Sequence, residues 1–229
     1  YYMKKLTNQT PLNNAEAYDQ IFAERQKKGV DEHDMRRWKR LLKFYKGGPI
    51  IDIGCLDSPI LGMALEKYPK HALKDESCSC NLDFHAVGID PAKEAMEKRR
   101  YDHPDISYCV GDIYTLVDSA YKTYYGTFSY AVMGELLEHL ERPEDAIKEA
   151  MRILKPGGVL AISVPLEEAK EPGACDKDRH LWSFSKQDMR ELLEPYGKVE
   201  MEVIGSLFSI FPPFYRYCWP SLISFCWKL

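Results

Sequence analysis

The run Ile50-Ile51-Asp52-Ile53-Gly54-Cys55, taken with Val87-Gly88-Ile89-Asp90, constrains the fold most. Each is a short apolar stretch that ends on an acidic residue or a glycine and leads into a helical pattern. Runs that are apolar at nearly every position mark strands covered on both faces, which is the habit of parallel sheets. Polar residues at the ends of such strands gather along the carboxyl edge of an open α/β sheet, where ligands bind.

The rest of the chain repeats this alternation. Asn13 to Lys28 and Asp31 to Lys46 read as two amphipathic helices, stopped by Gly29 and by Gly47-Gly48-Pro49. Strands follow at Ile50–Ile53, Val87–Asp90, Ile106–Val110, Thr127–Met133, Val159–Val164 and Val199–Ile204, with a seventh at Leu222–Trp227. Helices are expected from Pro59 to about Tyr68, from Pro91 to Arg100, from Pro143 to Leu154 and from Ser185 to Leu193. In the last of these Ser185 and Asp188 have the spacing of a capping box. The expected fold is therefore α/β, a doubly wound and mostly parallel seven-stranded sheet. A chain of 229 residues is long enough for one good core. We read one domain: a helical cap over 1–47, a ligand-binding core over 48–205, and an aromatic insertion with the final strand over 206–229.

Charge and cysteine usage narrow the function. A formal net charge of −4 disfavours general nucleic-acid binding. The basic runs Arg36-Arg37-Trp38-Lys39-Arg40 and Lys98-Arg99-Arg100 read as solvated helix faces. Seven scattered cysteines do not form a disulfide framework, which fits a reducing, cytoplasmic setting. The start, Tyr1-Tyr2-Met3-Lys4-Lys5, has no apolar signal region, and Met3 reads as the natural start. The apolar tail from Val203 is broken by Pro212, Pro213, Arg216 and Pro220, so no transmembrane segment is expected.

The strand ends suit a nucleoside. Gly54 permits a tight turn and close approach of backbone to ligand. Asp90 can accept hydrogen bonds from both hydroxyls of a ribose. Asp112 can accept from an exocyclic adenine amine, with Ile113 against the ring. In order, Asp52-Ile-Gly-Cys55, Gly88-Ile-Asp-Pro91, Gly111-Asp112-Ile113, Glu135-Leu-Leu-Glu-His139 and Leu154-Lys-Pro-Gly-Gly158 resemble the class I S-adenosylmethionine-dependent methyltransferases over roughly residues 30–205. The resemblance implies S-adenosyl-L-methionine as cofactor. It places Gly54 and Cys55 on the methionine part, Asp90 on the ribose and Asp112 with Ile113 on the adenine, and it adds Asp52, Pro91, Met133 and Gly134 to the contacts.

Two departures stand out. The family loop reads Asp-x-Gly-x-Gly-x-Gly, and here Leu56 and Ser58 take the second and third glycine positions. So few glycines suit a dinucleotide badly, and they leave open a non-catalytic scaffold that has lost its cofactor. Asp52 and Asp90 also stand 38 residues apart, which makes 71–84 an insertion. It carries His71, Cys78 and Cys80, with His85 just beyond. The Cys-x-Cys spacing is not that of a zinc finger, and two free thiols are the reading.

The chemistry is expected at Glu135-Leu-Leu-Glu-His139. On a helical turn Glu135, Glu138 and His139 share one face and make an oxygen and nitrogen site for Mg²⁺ or another divalent ion, with His180 as a fourth ligand. Glu138 bracing the helix and His139 orienting substrate is the plainer alternative. Glu-x-x-Glu-His with a later histidine resembles two branches of the family, the small-RNA 3′-terminal 2′-O-methyltransferases and the ubiquinone-pathway catechol O-methyltransferases. The resemblance implies a small acceptor with neighbouring hydroxyls, held by the ion, with Glu135 and His139 as catalytic residues. Without an ion, His139 serves as general base. RNA is the alternative acceptor, against the acidic balance. The run Leu207 to Trp219 reads as a lid or packed cover, ahead of a peripheral membrane contact or a protein interface. Nothing in the sequence fixes an oligomeric state.

Overall fold

Parallel strands buried on both faces need helices on both sides, and the packing follows that rule. A computed structural model describes residues 4–5, 14–30, 32–68, 86–115, 124–166, 180–205 and 220–229. Elements are β1 (Lys4–Lys5), α1 (Ala15–Lys28), α2 (Glu32–Leu41), β2 (Ile50–Ile53), α3 (Ile60–Lys67), β3 (Ala86–Asp90), α4 (Lys93–Asp102) and β4 (Ser107–Val110). There follow β5 (Phe128–Gly134), α5 (Pro143–Ile153), β6 (Leu154–Pro165), β7 (Trp182–Ser183), α6 (Lys186–Leu193), β8 (Gly197–Ile204) and β9 (Ser221–Lys228).

Seven strands form one sheet in the order β4-β3-β2-β5-β6-β9-β8. Only β9 runs against its neighbours, β6 and β8. The chain builds outward from β2 to β3 and β4, then crosses to β5 on the other side. Between β2 and β5 the winding therefore reverses, which opens a crevice at their carboxyl ends. The expected α/β architecture is borne out. So is the seventh strand, which extends to Lys228.

Side-chain alternation divides the core in two. Ile51, Ile53, Val87, Ile89, Ala131, Met133, Leu160 and Ile162 face the side covered by α5 and α6. Ile50, Ala86, Tyr130, Val132 and Ala161 face the side covered by α2, α3 and α4, through Trp38, Leu41, Ile60, Leu61, Ala64, Ala95 and Met96. Each fully buried Ile or Leu contributes about 1.5–3 kcal/mol, so the two clusters explain why this pattern folds as it does.

Helix ends are closed locally. Asn14 Oδ1 accepts from Ala17 N at 2.9 Å, and Gly29 (φ +73) ends α1. Ser185 and Asp188 form the expected capping box. The second helical pattern, expected to reach Lys46, ends as helix at Leu41 and continues in turns. Lys155 to Gly158, expected as a stop after α5, lies within β6, whose pairing to β5 shifts register there. The insertion with Cys78 and Cys80 and the aromatic run Leu207 to Trp219 lie outside the described residues. No helix among the described residues is long and apolar enough to cross a membrane.

Candidate active site

The crevice at the strand ends is a cavity of about 920 Å³. Its floor comes from the ends of β2, β3, β4 and β5. One wall is the turn after β5 together with His180, and the other is α1 and α2. Asp90 and Asp112 both line it, as do Gly54, Cys55, Pro91, Ile113 and Gly134. Asp52 and Met133 do not. Met133 points into the α5 face of the core and is fully buried. Asp52 is also buried, and its register partner is Gly88.

At the β2 and β3 ends the carboxylates are tightly held. Asp90 Oδ1 accepts from Ala92 N at 2.9 Å and Oδ2 from Leu56 N at 3.0 Å. Burial pushes its carboxyl up to about 6, against the pull of those two amides. Burial pushes Asp52 further, to about 7, although the Ser58 hydroxyl and the Arg99 charge oppose it. The Cys55 thiol, 3.7 Å from Met96 Sδ, is raised by burial and is an inert group, while the residue's backbone edges the cavity. Gly54 sits at φ +71, where a side chain is strained, and a Cβ there would press on Leu136 Cδ1 at 2.8 Å. Leu56 keeps a positive φ of +28 although it is not glycine.

The turn after β5 departs from the expected helical face. Glu135 sits at φ +52, and the helical turn begins only at Leu137. Glu135 N donates to Ser163 O at 2.9 Å, and its carboxylate lies 3.9 Å from the Arg37 guanidinium. Glu135 is thereby separated from Glu138 and His139. Among the described residues, Glu138, His139 and His180 each offer a ligand atom within 4.8 Å of the others. Their meeting has a local cause. Leu181 N donates to Glu138 O at 2.6 Å and Trp182 Nε1 to Leu140 O at 2.7 Å, which pins the segment carrying His180 onto the turn. The two imidazoles stand edge to face, 4.7 Å between centroids, and the Tyr18 ring approaches His139 from α1 at 6.3 Å.

Residues 30–198 match the Methyltransf_23 family model, a methyltransferase domain. The chain belongs to the class I S-adenosylmethionine-dependent methyltransferases. The ubiquinone biosynthesis O-methyltransferase of Coxiella burnetii is 30% identical to it over 118 residues, 52% of this chain and 44% of that protein. This methyltransferase spans less than half the length of the curated relatives it matches. Solved structures share its fold. A methyltransferase from Thermotoga maritima, described as a possible histamine N-methyltransferase, has TM-score 0.63 at 16% identity, covering 93% of this chain and 99% of that one. The N-methyltransferase NodS of Bradyrhizobium japonicum, solved with S-adenosylhomocysteine, has TM-score 0.63 at 17% identity, covering 94% and 98%.

Sequence reasoning missed the far wall of this methyltransferase. A chain of charges crosses it. Asp57 Oδ2 accepts from Arg25 Nε at 2.7 Å, Arg25 Nη2 reaches Asp34 at 3.1 Å, Arg37 Nη2 reaches Asp34 at 2.7 Å, and Arg37 faces Glu135. Arg37 is 9% exposed, not a solvated helix residue. Its place four residues before Leu41 puts it on the buried stripe of α2, a signal available in the sequence. Phe22 is buried in the core, Trp38 is buried and also edges the cavity, and Tyr18 lines it.

Proposed function

We propose that this methyltransferase moves the methyl group of S-adenosylmethionine to an oxygen of a small acceptor bearing neighbouring hydroxyls. The observation that carries the reading is the trio Glu138, His139 and His180, gathered beside the cofactor crevice.

The cavity suits the cofactor on its own chemistry. Arg37 Nε and Glu135 Oε1 are buried with no hydrogen-bond partner among the described residues, on the wall near Gly54. A paired guanidinium and carboxylate that each keep one buried polar atom unmet can take the carboxylate and ammonium of an amino acid. Asp90 keeps lone pairs for ribose hydroxyls beyond those used by Ala92 and Leu56, and Asp112 with Ile113 is offered to the adenine. Bound there, S-adenosylmethionine supplies an electrophilic methyl group on a sulfonium. The residues orient the two reactants and exclude water, which is the main source of rate in such a transfer.

One carboxylate and two imidazoles are a sound donor set for a divalent ion, softer than the all-oxygen set that Mg²⁺ prefers. An ion on Glu138, His139 and His180 would act as a Lewis acid toward an acceptor oxygen. In its absence His139 takes the hydroxyl proton. Carboxylates outnumber guanidinium groups around the cavity, which supports a neutral acceptor over RNA or another phosphate-bearing one. Free thiols at Cys55 and Cys226 support a cytoplasmic setting.

The test is thermal melting with MnCl₂ and MgCl₂, beside methyl transfer from labelled S-adenosylmethionine to 3,4-dihydroxybenzoate. Mn²⁺ at a hundred times its Kd is expected to stabilise the protein by about 2.7 kcal/mol, and His139→Ala to abolish that response and the transfer. A wild-type protein that melts at the same temperature with and without either ion removes the ion, and absence of transfer removes the catechol-like acceptor.

A further inference from the structure

The loop from Gly54 to Ser58 is short of glycine yet takes a glycine-like path. Leu56 at φ +28 lies where an L-residue is strained, and strain of this kind persists only when surrounding contacts over-determine it. Four sets of contacts are present. Gly54 N and Cys55 N donate to Ile89 O at 2.8 and 3.2 Å, and Ser58 N donates to Cys55 O at 2.6 Å. Leu56 N donates to Asp90. The carbonyls of Leu56 and Ser58, which turn the other way, are both taken by one side chain. Arg99 Nη1 donates to Leu56 O at 3.0 Å and Nη2 to Ser58 O at 2.6 Å.

Arg99 comes from α4, and its place is prepared by the sheet. Asp52, Gly88 and Tyr108 are register partners across β2, β3 and β4. Because Gly88 has no side chain, the Tyr108 ring lies over it, where a Cβ would come within 2.5 Å of the ring. The Arg99 guanidinium rests on that ring, 4.4 Å from its centroid, and donates to the Tyr108 hydroxyl. The residue is only 7% exposed, and Nε has no hydrogen-bond partner among the described residues. A buried cation with an unsatisfied donor is a poor way to gain stability. It is a good way to fix two carbonyls in a set geometry, since the guanidinium fork is rigid and planar.

We propose that Arg99 is the positioning residue of the cofactor loop, holding Leu56 and Ser58 in the backbone path that a methionine-bearing nucleoside requires where glycines are lacking. The proposal rests on the reading of this crevice as the S-adenosylmethionine site. Its effect reaches the ribose end as well, because the Leu56 amide that Arg99 holds in place orients Asp90.

The test is calorimetric titration of S-adenosylhomocysteine into the wild type, Arg99→Lys, Arg99→Met and Tyr108→Phe, with melting curves and amide exchange on the ligand-free proteins. Hydrogen bonds from a charged group set the scale, so Arg99→Met should bind about ten- to a hundredfold more weakly. Arg99→Lys keeps the charge without the fork and should lose most of the same factor while melting near the wild type. Tyr108→Phe frees the guanidinium and should fall between. The Leu56 amide should exchange faster in the Arg99 variants while amides of β3 do not. Should Arg99→Met fail to fold, Arg99→Lys and Tyr108→Phe decide. Binding within twofold of the wild type in both, or unchanged exchange at Leu56, overturns the proposal and leaves the cofactor site standing. A wild type that binds no S-adenosylhomocysteine overturns both.

Discussion

The two ends of the crevice are built by different means. The cofactor end is made of residues close to strand tips, with every neighbour in register: Asp52 opposite Gly88, Gly88 opposite Tyr108. Two of its carboxylates, Asp52 and Asp90, are buried, Asp90 answered by two backbone amides and Asp52 by the Ser58 hydroxyl and the Arg99 charge. The end proposed for the acceptor is assembled from chain segments about forty residues apart, Glu138 and His139 on one side and His180 on the other, held by two hydrogen bonds. The first end is rigid because the sheet is rigid. The second depends on a local attachment, and so can vary in acceptor without disturbing the fold.

The largest effect is expected from a pair of glycine substitutions, one inside β3 and one at the end of β5. A Cβ at Gly88 would stand 2.5 Å from Tyr108 Cδ1 and 3.0 Å from Cys55 Sγ, both in buried side chains. Gly88→Ala should therefore cost about 1–3 kcal/mol by overpacking and weaken S-adenosylhomocysteine binding. A Cβ at Gly134 would meet nothing nearer than Leu41 Cδ1 at 3.4 Å. Gly134→Ala should stay within about 0.5 kcal/mol of the wild type, the range of substitutions that break no packing. Urea denaturation of both variants is the measurement. Equal losses would mean that the packing inside β3 is no tighter than that at the end of β5.

A smaller effect separates the ends by pH. Burial holds the Asp52 carboxyl at about 7 in the folded chain, against an ordinary 3.8. The folded protein then keeps a proton that the unfolded chain releases, so stability falls as pH rises between these two values. The contribution of this group is most favourable below about pH 3.8 and has been lost once the pH passes about 7. Asp90, raised to about 6, adds a slope of the same sign over a narrower range. The Ser58 hydroxyl and Arg99 face Asp52 and moderate the effect without reversing it. Asp52→Asn should flatten the dependence of the melting temperature between about pH 4 and 7. A variant whose profile runs parallel to the wild type would show that Asp52 ionises normally.

The contrast between the ends also explains what could be read from the sequence. Asp52-Ile-Gly and Gly-Ile-Asp90 announce themselves because strand, turn and ligand group are contiguous, and the sheet order follows from winding rules. Glu138 and His139 were legible as a pair, but Glu135 was not separable from them, because a φ of +52 at a non-glycine residue has no sequence signature. Position in a motif assigns Asp52 and Met133 to the ligand, whereas alternation along the strand turns Met133 into the core and Asp52 beneath the loop. Arg37 and Arg99 stand in basic runs that read as solvated faces. Helical spacing from Leu41 marks Arg37 as buried, whereas what buries Arg99 is tertiary, the Tyr108 ring that lies over Gly88.

The smallest effect bears on whether the ends are independent. Trp182 Nε1 donates to Leu140 O at 2.7 Å and, with the Leu181 amide, ties the His180 segment to the turn. Trp182→Phe keeps the ring packing and removes that donor, which should lower stability by about 1 kcal/mol. His180 would then be held less closely to Glu138 and His139, so the Mn²⁺-induced rise in melting temperature should shrink. Binding of S-adenosylhomocysteine should not change, because the bond removed ends on Leu140 O, in the turn after β5 and away from the tips of β2 and β3. If calorimetry instead shows cofactor affinity falling in step with the ion response, the turn after β5 transmits strain from one end to the other. The crevice would then be a single unit, with Leu136, packed on Gly54, as the contact that joins its halves.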